Sequence, residues 1–210
     1  MIYYFHMILL LDVISSIPEF SIIQDKKIIF SCKIIHSVEE KLSDSIIPKY
    51  LEINKSSKLE KNLKAIIITI GPGSYTSLRV GAAFAAGLQF SKNLKVASVS
   101  SETISKFLIN DNNKNKEGIY IKSGYSQNFI SFEDNKKIFK NYKINIKDFN
   151  LPKDITKLYF NEKPLKNNSR ILKNEKFILK ETILSNLNKI KFSYSDLIKP
   201  IYISNNEILN

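Results

Sequence analysis

In the stretch TIGPGSYTSLRVGAAFAAGL, Thr69 to Leu88, two glycines and a proline stand between an apolar run and a string of small residues. A glycine turn between a strand and a helix can cradle phosphate, because backbone N–H groups converge where no Cβ blocks the ligand. The residues that would complete such a site are missing. A P-loop ends in Gly-Lys-Ser/Thr, and that triplet does not occur. A dinucleotide fingerprint asks for a third glycine at position 76, which is Thr76. Gly71, Gly73 and Ser74 therefore give a weak anion-site signal, and the same residues read as a tight turn followed by a Ser74 N-cap.

Other reactive side chains are sparse. His6 and His36 are the only histidines and Cys32 the only cysteine, so no cluster has zinc-ligand spacing and no disulfide can form within the chain. A lone cysteine reads as a free core thiol and fits a reducing cytoplasm. No catalytic or metal-ligating residue is assigned. The net charge of +12 ordinarily points to an anionic partner. Yet Arg79 and Arg170 are the only arginines among 32 basic residues, and the wealth of Lys, Ile and Asn is that of an AT-rich genome. Lysine lacks the bidentate fork that suits phosphate recognition, so the charge alone does not define an RNA-binding surface.

The helix after the glycine turn says more. From Val80 to Leu88 every residue is apolar or glycine. A helix without a polar face is covered on both sides, one of them by a sheet. Ser77, Gly81 and Ala85 recur four apart, as do Leu78, Ala82 and Ala86, which permits close approach of another helix. A helical glycine costs about 1 kcal/mol relative to alanine, so Gly81 and Gly87 need a packing reason. The second cover is either the chain's own helix near Ser45 to Asn54 or a partner subunit.

The elements that position this helix follow from the pattern of apolar residues. Strands are predicted at Ile8 to Ile14, Phe20 to Gln24 and Lys27 to Ile35, the last two as a hairpin about Asp25-Lys26. A helix capped by Ser43, Asp44 or Ser45 runs to about Asn54, with Pro48 near its first turn. Ser57 and Glu60 have capping-box spacing for a short helix, and Ala65 to Ile70 reads as a buried central strand. Lys95 to Val99 is a further strand, and Ser101-Glu102 opens a helix to about Ile109. The polar loop Asn110 to Gly118 marks a lobe boundary, giving an N-terminal α/β lobe over residues 1–109 and a smaller one over 110–210. In the second lobe, Ile119 to Lys122, Asn128 to Phe132 and Lys137 to Tyr142 read as an antiparallel meander. Leu158 to Asn161 follows as a strand, Glu181 to Lys191 as a helix and IKPIYIS as a terminal strand. No internal repeat is visible. With 43% hydrophobic residues, 210 residues can bury a real core. The apolar start has no basic leading region, is interrupted by Asp12 and is too short to span a bilayer, so Met7 is expected as the natural start and residues 1–6 as an extension.

The segment GPGSYTSLRVGAAFAAGL closely resembles the signature Gly-Pro-Gly-Ser-Phe-Thr-Gly-Leu-Arg-Ile-Gly of the bacterial TsaB (YeaZ) family. The flanks agree: ILLLDVISS is similar to the family's opening strand, LSDSIIP to its first-helix entry, VASVSSETI to the strand and helix after the signature, and IKPIYIS to its closing segment. The departures are Ser77 for a glycine, Asp12-Val13-Ile14 for Asp-Thr-Ser, Leu42 for a histidine, and no Asp-Ala-Arg around Lys122 to Tyr125.

The resemblance implies an actin-like ATPase (ribonuclease H-like) α/β fold of two lobes, the second reduced. It implies a noncatalytic subunit that pairs with a TsaD-like catalytic subunit and a TsaE-like ATPase in threonylcarbamoylation of the adenosine 3′ of the anticodon. Contact with tRNA would run through the complex. The first two helices of the family's first lobe pack on their counterparts in TsaD. Carried onto this chain, that interface comprises Ser45, Tyr50, Tyr75, Leu78, Arg79, Gly81, Ala82, Ala85 and Ala86. The same face allows a homodimer when the chain is alone, and nucleotide is expected only at a subunit junction. The alternative is an autonomous actin-like ATPase or kinase. Against it, Gly118 and Gly124 are the only glycines beyond residue 110, so the second lobe offers no Gly-rich nucleotide loop. A direct tRNA-binding module rests on charge alone.

Overall fold

The computed structural model describes residues 6–37, 39–109, 116–124, 127–134, 136–146, 149–165, 173–204 and 208–209. Residues 1–5 of the expected extension 1–6, most of the boundary loop (110–115) and position 125 lie outside the described residues.

Three apolar runs open the chain as β1 (Met7–Asp12), β2 (Glu19–Gln24) and β3 (Lys27–Lys33), joined as an antiparallel meander. Asp25 and Lys26 both take positive φ, +50° and +58°, as a two-residue hairpin requires if its twist is to match the strands. Next come α1 (Leu42–Ser57), the short α2 (Leu59–Asn62), β4 (Leu63–Gly71), α3 (Tyr75–Lys92), β5 (Lys95–Ser100) and α4 (Ser101–Leu108). β4 lies parallel to both β1 and β5, giving a sheet of order β3-β2-β1-β4-β5.

Helix α1 begins at Leu42 with Lys41 at its N-cap and no side-chain cap, so Pro48 falls inside the helix rather than in its first turn. Burial explains the difference. Leu42, Ile46, Tyr50 and Ile53 form one stripe against the sheet, while Pro48 sits on the exposed face, where the carbonyl it leaves unpaired can bond water.

The second sheet contains β6 (Lys116–Ser123), β7 (Gln127–Glu133), β8 (Phe139–Ile144), β9 (Ile155–Phe160), β10 (Lys173–Lys176) and β11 (Ile208–Leu209), in the order β10-β9-β6-β7-β8-β11. Pairs β6–β7 and β7–β8 are antiparallel, and β6–β9 and β9–β10 parallel. That is the first sheet's connectivity over again, invisible as sequence similarity. Among the described residues the second lobe has no counterpart of α1, α2 or α3.

The expected helix at Glu181 to Lys191 is divided into α5 (Leu179–Ser185) and a 3-10 turn at Leu187–Lys189. IKPIYIS is not a strand. Its backbone runs across the first lobe, donating from the Ile201 amide to the Ile70 carbonyl at 2.7 Å, and the terminal strand is β11, paired with β8. From Phe177 onward the chain returns to the first core, where Phe177, Leu179 and Ile183 join β1, β4 and β5. A smaller core holds Tyr120, Ile130, Phe132, Ile155 and Leu158. Helices α4 and α5 pack on each other between the lobes, α4 being capped by Ser100, whose hydroxyl accepts from the Thr103 amide at 3.2 Å.

Candidate partner-docking face

The glycine turn is enclosed by the chain itself. Gly71 has φ +121°, a conformation that disfavours a side chain, and a Cβ there would lie 2.7 Å from the Ile201 carbonyl oxygen. At Gly73 a Cβ would stand 3.2 Å from Ile14 Cα and 3.3 Å from Ser123 Oγ. The Ser74 amide donates to that same Ser123 hydroxyl at 2.9 Å. Ser74 occupies the N-cap position of α3, but its side chain makes no capping bond. Close approach of three distant segments accounts for the glycines.

Helix α3 turns Leu78, Gly81, Ala85 and Gln89 inward. A Cβ on Gly81 would meet Val13 Cγ1 at 2.7 Å, so the small residue admits the loop after β1 rather than another subunit. Of the interface residues read from the sequence, Leu78, Gly81 and Ala85 are buried in the chain's own core. The C-terminal segment covers one flank, where Gln89 Nε2 donates to the carbonyls of Tyr194 (3.0 Å) and Asp196 (3.3 Å). Ala82, Ala86 and Ser45 are half-buried. Tyr75 is exposed, with the Arg79 guanidinium 5.3 Å from its ring centre and the Tyr202 ring at 4.8 Å.

The other flank of α3 stays open. Between α1 and α3 runs an apolar groove of about 550 Å³. Its wall is aromatic: the Tyr50 and Phe84 rings are 5.3 Å apart, and Phe84 and Phe20 5.6 Å. Burial, with the Glu60 charge adding to it, pushes the Tyr50 hydroxyl up to about 12, so it stays neutral. Ile47 and Leu51, one turn apart on α1, are each 55% exposed at the rim, and Phe90 of α3 is 73% exposed beyond it. Gly87 opens into this space, since a Cβ there would meet nothing within 4 Å. Of the sequence-predicted residues, Tyr50 alone lines the groove. Ile47, Leu51, Ala83, Phe84 and Gly87 were missed, although the i,i+4 pair Ile47/Leu51 and the wholly apolar run after Val80 both signalled it.

A second, smaller space of about 250 Å³ lies between the lobes and is lined by the chain's own charges, Asp12, Glu19, Glu162, Lys176 and Lys180 among them. Glu162 Oε1 accepts from the Ser16 amide at 3.1 Å and from the Ser16 hydroxyl. Lys180 pairs with Glu19 at 2.8 Å, and Lys122 stands 3.8 Å from Glu162. Asp12 Oδ1 accepts from the amides of Ile14 (3.0 Å) and Ser15 (3.2 Å) and the Thr69 hydroxyl (3.3 Å), closing the turn after β1. Burial raises the Asp12 carboxyl above its ordinary value. Among the described residues no group of three His, Cys, Asp or Glu could hold a metal ion, and no helix is long and apolar enough to cross a membrane.

Two lobes built on one repeated five-strand connectivity, with α4 and α5 packed between them, define an actin-like, ribonuclease H-like α/β protein. Residues 36–199 match the family described as TsaD: tRNA N6-adenosine threonylcarbamoyltransferase, and the chain belongs to that family. Its likeness within the family is to TsaB. It is 35% identical over 81 residues to the tRNA threonylcarbamoyladenosine biosynthesis protein TsaB of Buchnera aphidicola subsp. Acyrthosiphon pisum (strain APS), covering 36% of this chain and 37% of that one. The match thus spans little more than a third of that relative's length. YeaZ from Pseudomonas aeruginosa superposes with a TM-score of 0.60 at 12% identity, covering 94% of this chain and all of that one. An uncharacterised Pseudomonas aeruginosa protein with similarity to peptidase YeaZ gives 0.62 at 11%, covering 95% of this chain and all of its own. At such identities the likeness is one of fold.

Proposed function

We propose that this chain is a noncatalytic, TsaB-type scaffold subunit that docks on a TsaD-like transferase and activates it for threonylcarbamoylation of the adenosine 3′ of the anticodon in tRNA. The observation that carries this reading is the open α1–α3 groove, whose aromatic wall is buried at Tyr50 and half-buried at Phe84 while its aliphatic rim stays in water. Such a surface gains free energy when covered by a complementary helix pair. The inter-lobe cleft supports a noncatalytic role, because Glu162 and Lys180 spend their charges across it on Ser16 and Glu19. Nucleotide then belongs at a junction between subunits and to a TsaE-like ATPase partner. Alone, the chain would cover the same groove with a second copy of itself. The work is that of a cytoplasmic complex, with tRNA reached through the assembly.

Co-expression with the TsaD-like protein of the same genome, followed by gel filtration, tests the reading. The two chains should co-elute. Ala83→Arg, at an exposed position lining the groove, should leave the fold intact and abolish co-elution. A folded Ala83→Arg chain that still co-elutes would place the docking face elsewhere.

A further inference from the structure

At the end of the first sheet opposite the glycine turn, the starts of β1, β4 and β5 lie side by side, Met7 paired with Leu63 and Ala65 with Lys95. Helix α3 ends there at Lys92. Together they form the floor and one wall of a groove of about 600 Å³, and Phe192 and Tyr194 supply the other wall. The charged groups lining it are Lys64, Lys92 and Lys95, with no carboxylate among the lining residues. Lys92 is committed in part to Glu60 at 3.0 Å. Lys64 is exposed, and the Lys95 ammonium stands 5.3 Å from the centre of the Tyr194 ring.

The aromatic wall is held in place. Ser193 exchanges backbone hydrogen bonds with Val96 at 2.7 and 3.0 Å, extending the sheet edge just before Tyr194. Gln89, 4% exposed, spends its amide on the carbonyls of Tyr194 and Asp196. The result is an aromatic residue, Tyr194, 56% exposed on a fixed backbone beside a lysine.

We propose that this groove is an RNA contact that takes a single-stranded or loop segment, with phosphates on Lys64 and Lys95 and a base stacked on Tyr194. With Glu60 paired to Lys92, the ammonium groups of Lys64 and Lys95 leave the groove net positive, which favours a polyanion, and an exposed aromatic platform beside them suits the flat faces of bases. The groove is concave, which a flat bilayer surface cannot enter. It shares no lining residue with the α1–α3 groove, so RNA and a protein partner can be held together. The inference rests on the proposed role in tRNA modification and adds a direct RNA contact by this chain to the one made through the assembly; its test needs the isolated chain only, so its failure and a failure of docking are told apart.

The test is fluorescence anisotropy of a fluorescein-labelled oligouridylate titrated with the full chain over a range of salt. Lys64→Glu/Lys95→Glu should weaken binding about tenfold or more and reduce the slope of log K against log salt by about 1.4, or 0.7 per lost phosphate contact. Tyr194→Ala should weaken binding about tenfold with the slope unchanged. The same charge change on the second lobe, Lys136→Glu/Lys173→Glu, should leave affinity within about twofold of the parent. Equal losses from the two lysine pairs would show diffuse attraction and overturn the proposal. An unaffected Tyr194→Ala would overturn the stacking site. Groove-dependent binding to phosphatidylserine vesicles in place of the oligonucleotide would assign the surface to lipid instead.

Discussion

The rim of the α1–α3 groove offers the sharpest test of docking, through Ile47→Ala/Leu51→Ala. Fully burying an isoleucine or leucine is worth about 1.5–3 kcal/mol. With 55% of each residue still exposed, docking has about 1–1.5 kcal/mol left to gain at each position. The pair together should therefore contribute about 2–3 kcal/mol, or about 30- to 150-fold in Kd. Alanine is the best helix former, so α1 recovers part of whatever packing the truncations cost the free chain. Isothermal titration calorimetry against the TsaD-like subunit reads the affinity, and circular dichroism melting reads the fold. A double variant that melts as the parent does and binds within about threefold of it would refute the argument, because the rim would then remain in water in the complex.

Three further outcomes are expected. Gly71→Ala should lower stability by about 1–3 kcal/mol, read as a lower urea midpoint, since φ is +121° and the new Cβ meets the Ile201 carbonyl oxygen at 2.7 Å; an unchanged midpoint would contradict the enclosed turn. Because burial raises the Asp12 carboxyl above 3.8, the folded chain holds its proton to higher pH than the unfolded chain, and Asp12 costs stability as pH rises from 3.8 through the folded value. Asp12→Asn keeps an acceptor oxygen for the Ile14 and Ser15 amides, so its stability relative to the parent should increase with pH over that window; urea unfolding that gives a pH-independent difference would count against this assignment. The isolated chain should turn over no ATP above buffer, given an inter-lobe cleft in which Glu19 is paired with Lys180 and Glu162 holds Ser16; turnover that copurifies with the chain and disappears in Asp12→Asn would favour the ATPase alternative.

Local order was readable where one residue pattern had one physical solution. The apolar runs of β1, β4 and β5 must be buried, and the Asp25-Lys26 pair had to turn. The TIGPGSYTSLRVGAAFAAGL stretch by itself determined a sharp strand-to-helix turn, a helix covered on more than one side and a resemblance to one family, which the match over residues 36–199 bears on directly. The small residues of α3 do not say which neighbour they admit. Gly81 faces Val13, and Gly87 faces open space, yet in sequence they are alike. That choice depends on the rotation of α3 about its axis, fixed by burying Leu78, Ala85 and Gln89 together against segments remote in the chain. The repeat of the first sheet in the second was hidden for a related reason: strand order and direction are set by hydrogen-bond pairing between distant segments, which sequences of quite different composition can satisfy. The sequence thus carried the elements and the family, while tertiary packing decided which faces of α1 and α3 were consumed by the chain's own core and which remained for another molecule.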